Sequence, residues 1–141
     1  NTLAGLAIDL GGTVVIHGCG HPLSGHYNIT HGQTLSALGV TYLKQNHQAN
    51  PGKFAELSKL LGYEPGDLST EELAAKSPTA LANFLDTVDR NIRIKDLVDI
   101  EEGDIEQLVK DTFKTMKGTV DNNPRPLSEE DIEQLYREAL N

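Results

Sequence analysis

The residues able to do chemistry are gathered in one short segment. Residues 16–32 read Ile-His-Gly-Cys-Gly-His-Pro-Leu-Ser-Gly-His-Tyr-Asn-Ile-Thr-His-Gly. The segment holds His17, His21, His26 and His31, and the remaining histidine of the chain is His47. His17 and His21 stand four apart, so on a helix they share a face, one turn from each other. His31 follows a short turn and opens the next helix, which directs three imidazoles towards one small volume. Imidazole ligates zinc, iron(II) and other divalent ions. Structural zinc takes four protein ligands and catalytic zinc three, so two histidines are an incomplete shell. The pattern H-E-x-x-H would need a glutamate directly after His17, and that residue is Gly18. No neighbouring cluster of Cys, Asp or Glu completes a site. The residue types therefore leave two readings open, metal ligands or core histidines with satisfied hydrogen bonds. Gly18, Gly20 and Gly25 suit both, since they allow close helix approach or access to the backbone.

Two other features carry less. Cys19 could act as a nucleophile with His21 as base, but helix positions two apart point in different directions and no third group orients the pair. A small buried residue is the simpler reading. Gly11-Gly12 lacks the spacing and the lysine of a phosphate-binding loop.

The elements around this segment follow from an uneven composition. Among residues 1–50 the only Lys, Arg, Asp or Glu are Asp9 and Lys44. The other 11 basic and 20 acidic residues, and with them the whole formal charge of −9, fall in residues 51–141. We read the first third as an interior segment with chemistry and the rest as amphipathic helices that wrap it. The first 16 residues hold a single charge and read as the middle of a core. The β-branched run 13–16 has strand propensity but sits in a longer apolar stretch, and we read it as buried helix.

The later helices have legible ends. Asn50-Pro51 is an N-cap and first-turn proline, with Phe54, Leu57, Leu60 and Leu61 as a stripe and Gly62 as the stop. Ser69-Thr70-Glu71-Glu72 is a capping box, with Leu68 and Leu73 placed as a hydrophobic staple. Ser77-Pro78 restarts a helix with Leu81, Phe84, Leu85 and Val88 on one face. Ile105, Leu108, Val109, Phe113 and Met116 form another stripe. Asn122-Asn123-Pro124-Arg125-Pro126 is a turn, and Ser128 caps a last helix whose apolar face is Ile132, Leu135, Tyr136, Ala139 and Leu140. The fold class is all-α, one helical domain over residues 1–141.

Composition excludes several functions. A net acidic chain without a basic cluster does not suit nucleic acid. One cysteine excludes an internal disulfide framework and a multi-cysteine zinc site. The apolar runs are too short to span a bilayer, and no secretory signal pattern is present. A cytoplasmic location is the expectation. The start at Asn1 rather than Met, together with the apolar beginning, reads as an incomplete protein.

HGCGHPLSGHYNITHG resembles the histidine signature of the iron-containing (group III) alcohol dehydrogenases. The likeness continues through GQTLSALGVTYLKQN, in wording similar to the butanol-dehydrogenase-like branch, and returns at NNPRPLSEEDIEQLYREAL. It covers the whole chain in order, with residues 62–100 the least distinctive. The resemblance implies an all-helical C-terminal domain of the dehydroquinate synthase-like fold. It further implies a partner, an N-terminal α/β domain that binds NAD(P), and a divalent metal, Fe2+ or else Zn2+, in the cleft between the two. His17 and His31 match two of the family's four metal ligands. His21 matches a histidine beside nicotinamide and substrate, thought to assist proton transfer. His26 falls at a variable position and is not read as a ligand. The Gly-rich nucleotide-binding turn and the upstream Asp and His ligands have no counterpart here, and AIDLGGTVVI departs from the usual wording.

The implied function is interconversion of a small alcohol and its aldehyde by hydride transfer, with this chain as the metal-binding part, inactive alone, of a parent that forms a homodimer. The alternatives are a zinc glycerol dehydrogenase-like or dehydroquinate synthase-like relative, or a non-catalytic helical interaction domain. The orphaned interface is expected as an exposed apolar patch around residues 3–16.

Overall fold

The computed structural model describes residues 2–140. Its elements are α1 (Thr2–Gly11), α2 (Val15–Tyr27), α3 (His31–Asn46), α4 (Pro51–Leu60), α5 (Thr70–Ala74), α6 (Ser77–Thr87), α7 (Glu102–Thr115), α8 (Lys117–Asp121) and α9 (Glu129–Leu140). Short 3-10 turns lie at His47–Ala49 and Ile94–Asp96. No strand occurs among the described residues, in accord with the all-α reading.

The centre is α3, which packs against α2, α6 and α9. Its partner α2 also lies against α7 and α8, and α7 packs on α9. One continuous core joins them: Val15, Cys19 and Leu23 from α2, Leu38 from α3, Leu108 from α7, and Ile132, Leu135 and Tyr136 from α9. Leu23 and Leu38 are wholly buried. Each contributes about 1.5–3 kcal/mol relative to an exposed position.

Several expected ends are present. The Asn50 side chain accepts from the Lys53 amide. At the end of α4, Gly62 has φ +87 and donates to the Lys59 carbonyl, while Tyr63 donates to the Ser58 carbonyl. That pair of bonds is a Schellman stop. Ser69 and Glu72 form the reciprocal capping box. Ser128 accepts from the Asp131 amide, and Asp131 accepts in return from the Ser128 amide.

Other expectations are corrected. The stretch 2–11 is not a core: α1 has no buried residue, and Leu3, Leu6, Ile8 and Leu10 are all exposed. Its apolar sequence forms the exposed patch instead. The run 13–16 is split, with Val14 extended as the N-cap of α2 and Val15 the first helical residue. Leu60 is 77% exposed, and Phe84 and Val88 are about half exposed. In each case the apolar stripe is wider than the face its neighbours cover. Met116 ends α7 instead of continuing it, and a further short helix, α8, precedes the Asn-Asn-Pro-Arg-Pro turn.

That turn is a clamp. Asn122 donates to the carbonyls of Gly11 and Thr13, fixing the corner where α1 meets α2 at 102°. Asn123 donates to Asn46 Oδ1 at the buried end of α3. Arg125 donates to the Gln45 carbonyl and makes a two-pronged pair with Asp131. No single helix among the described residues is long and apolar enough to cross a membrane.

Candidate metal centre

His17 sits in the first turn of α2 and His21 one turn on. His31 is the first residue of α3. Asn28 closes α2 in the left-handed region, φ 54, a conformation asparagine tolerates. Ile29 is nearly buried, and both the amide and the hydroxyl of Thr30 donate to Gln33 Oε1. This three-residue turn brings the start of α3 back over the first half of α2. His17 Nδ1 and His31 Nε2 stand 3.1 Å apart. The His21 ring centroid is 4.7 Å from that of His31, tilted by 40°. The structure thus gathers all three expected imidazoles, with His21 the exposed one.

The glycines between them are steric requirements. A Cβ on Gly18 would lie 2.2 Å from Thr119 Oγ1. One on Gly20 would lie 2.8 Å from Thr34 Oγ1 and 3.2 Å from His31 Cε1. Gly25 has open space around it.

Burial lowers the His17 pKa from the usual imidazole value, and the neighbouring His31 and His21 lower it further. His31 is lowered by burial and then by His21. Both are therefore held neutral, the form that ligates a metal. The facing ring nitrogens stand 3.1 Å apart, at hydrogen-bond distance, and two nitrogens each about 2.0–2.1 Å from one tetrahedral ion lie about 3.3 Å apart, so a small shift suffices for both to reach one ion. The residues present fit a divalent ion. Among the described residues no three or more His, Cys, Asp or Glu side chains form a group that could hold a metal, so they hold no complete shell. His31 Nδ1 is buried without a partner.

The other candidates are placed elsewhere. Cys19 is fully buried and burial pushes its thiol up to about 12. That removes the nucleophile reading, since the thiolate is the reactive form. His26 Nε2 is 2.8 Å from Asp111 Oδ2, an inter-helix contact that sequence spacing gave no means of finding. His47 lies in a 3-10 turn at the far end of α3 from His31. The roles of Asn122, Asn123 and Arg125 were also missed; only the polar density of that turn hinted at them.

Residues 1–140 match the family model for the C-terminal part of the Fe-containing alcohol dehydrogenases. The chain is 29% identical over 138 residues to a 1,3-propanediol dehydrogenase of Klebsiella pneumoniae, covering 98% of this chain and 35% of that protein. It is 30% identical over 141 residues to an NAD-dependent methanol dehydrogenase of Bacillus methanolicus, again covering 98% and 35%. Among solved structures, an alcohol dehydrogenase from Oenococcus oeni superposes with a TM-score of 0.88 at 30% identity, over 97% of this chain and 35% of that one. A 1,3-propanediol oxidoreductase superposes at 0.83 with 28% identity, over 91% and 33%. The chain spans about a third of the length of these relatives. By its sequence and its fold, the chain belongs to the Fe-containing alcohol dehydrogenase family and corresponds to the C-terminal part of its members.

Proposed function

We propose that the chain is the metal-binding part of a dehydrogenase that interconverts a small alcohol and its aldehyde. The observation that carries the proposal is the convergence of two neutral imidazole nitrogens, from His17 and His31, close to ligand spacing in a chain of this family. When bound, a divalent ion, Fe2+ or Zn2+, supplies Lewis-acid polarisation of the substrate oxygen and NAD(P) accepts or returns the hydride.

The chain's own residues have four tasks. His17 and His31 hold two positions of the metal shell, and the remaining ligands come from outside this chain. His21 is exposed beside them and exchanges the substrate proton with solvent. Gly18 and Gly20 let α2 sit close enough to Thr119 and His31 to keep the rings together. The exposed Leu3, Leu6, Ile8 and Leu10 of α1 form the surface for the nucleotide-binding part.

In a full-length enzyme, His17→Ala and His31→Ala abolish metal retention, while His21→Ala keeps the metal and lowers turnover. Normal metal content in His31→Ala refutes the ligand assignment. Metal loss in His21→Ala shows the roles to be exchanged. A full-length protein that holds metal yet reduces no aldehyde favours the helical interaction domain, with α1 as its surface.

A further inference from the structure

The turn of α2 that carries His17 and His21 is the part of that helix least able to hold its own shape. Between the histidines stand Gly18, Cys19 and Gly20, and Pro22 follows. Each helical glycine weakens the helix relative to alanine. Pro22 has no amide to donate back to the Gly18 carbonyl. The segment is helical all the same, so something outside it supplies the restraint.

The buried face opposite the imidazoles shows what does. Tyr136, on α9, donates its hydroxyl to the Cys19 carbonyl at 2.9 Å, midway between the two histidines. Behind it, Thr112 of α7 lies 3.0 Å from the same hydroxyl and bonds to the Leu108 carbonyl. Tyr136 is 1% exposed, and Thr112 and Cys19 are wholly buried. Burial raises the Tyr136 and Cys19 ionisations far above neutrality, so the network is uncharged at working pH. The Cys19 carbonyl is the acceptor of this buried hydroxyl, so the bond constrains where that carbonyl sits.

We propose that Tyr136 is a positioning residue for the metal centre: through the Cys19 carbonyl it fixes the Gly-Cys-Gly turn, and so the angle at which α2 presents His17 to His31. The inference rests on the metal reading above and deepens it. It ties the last helix of the chain to a site formed by the second and third.

The test uses the full-length protein that carries this chain, and Zn2+. Tyr136→Phe keeps the ring and removes the hydroxyl. Its Zn2+ dissociation constant by calorimetry rises roughly fivefold, the loss of about one net hydrogen bond. A core variant that lowers the melting point equally, Val109→Ala, stays within twofold of wild type. Without metal, the 15N shifts of the His17 and His31 rings move in Tyr136→Phe and not in Val109→Ala. An unchanged Zn2+ constant together with unmoved ring shifts in Tyr136→Phe overturns the inference. If His17→Ala leaves Zn2+ binding intact, the metal reading fails, and the ring shifts alone then decide whether Tyr136 positions the imidazoles.

Discussion

Gly20→Ala sets two known effects against each other at the candidate site. Replacing a helical glycine by alanine stabilises by about 1 kcal/mol. Gly20 lies inside α2, so that gain applies. The new Cβ, however, would stand 2.8 Å from Thr34 Oγ1, 3.2 Å from His31 Cε1 and 3.3 Å from His31 Nδ1. Thr34 is 1% exposed and its hydroxyl already bonds the His31 carbonyl at 2.8 Å. Thr34 Oγ1 must therefore leave the place from which it bonds the His31 carbonyl, and the His31 ring, also too close, shifts with it. Overpacking of this kind costs about 1–3 kcal/mol. The net effect is a loss of about 1 kcal/mol, roughly 3 °C in melting temperature for a domain of this size. Gly25→Ala, in the same helix with nothing near its Cβ, isolates the gain alone and raises the melting point by about 2–3 °C. Calorimetric melts give the two shifts. On the proposed ligand role of His31, Zn2+ titration gives a third number, an affinity about tenfold weaker for Gly20→Ala. If Gly20→Ala stabilises as much as Gly25→Ala and binds Zn2+ as wild type does, the close packing of Gly20 on His31 is refuted.

Three further outcomes follow from the same geometry. His17 and His31 have folded-state pKa values below the ordinary one near 6.5, so the unfolded chain takes up protons first. Their contribution to stability is present above about pH 6.5 and is lost as pH falls through the folded values; urea midpoints drop between pH 7 and 5, less steeply in a His17→Ala, His31→Ala double variant, and an equal slope contradicts this. Asn123→Ala leaves the buried Asn46 Oδ1 without its donor and costs about 1–3 kcal/mol, seen as a lower urea midpoint; an unchanged midpoint removes the clamp from the account. Cys19 resists a thiol reagent in the folded chain and reacts once the chain is unfolded in urea, and fast native labelling contradicts its burial.

Local signals were legible in the sequence wherever one chain segment contains the whole mechanism. The Asn50 and Ser69 caps, the Gly62 stop and the i, i+4 placement of His17 and His21 need only neighbouring residues, and all are present. His31 at the head of α3 was legible for the same reason. What could not be read depends on partners far along the chain. Tyr136 meets Cys19 across a separation of 117 residues, and Asn122 meets Gly11 across 111. No local period encodes such pairs. The α1 segment misled because an apolar composition states only that a face needs covering, not what covers it. Leu60, Phe84 and Val88 erred in the same direction.

The central claim is that His17 and His31 present their facing nitrogens to one divalent ion. A crystal of the 141-residue chain grown with Zn2+, with diffraction recorded on both sides of the zinc edge, tests it directly. The account predicts one anomalous peak about 2.1 Å from a ring nitrogen of His17 and of His31, with His21 unliganded beside it. A peak held by His21 without either partner, or none between the two rings at saturating Zn2+, contradicts it.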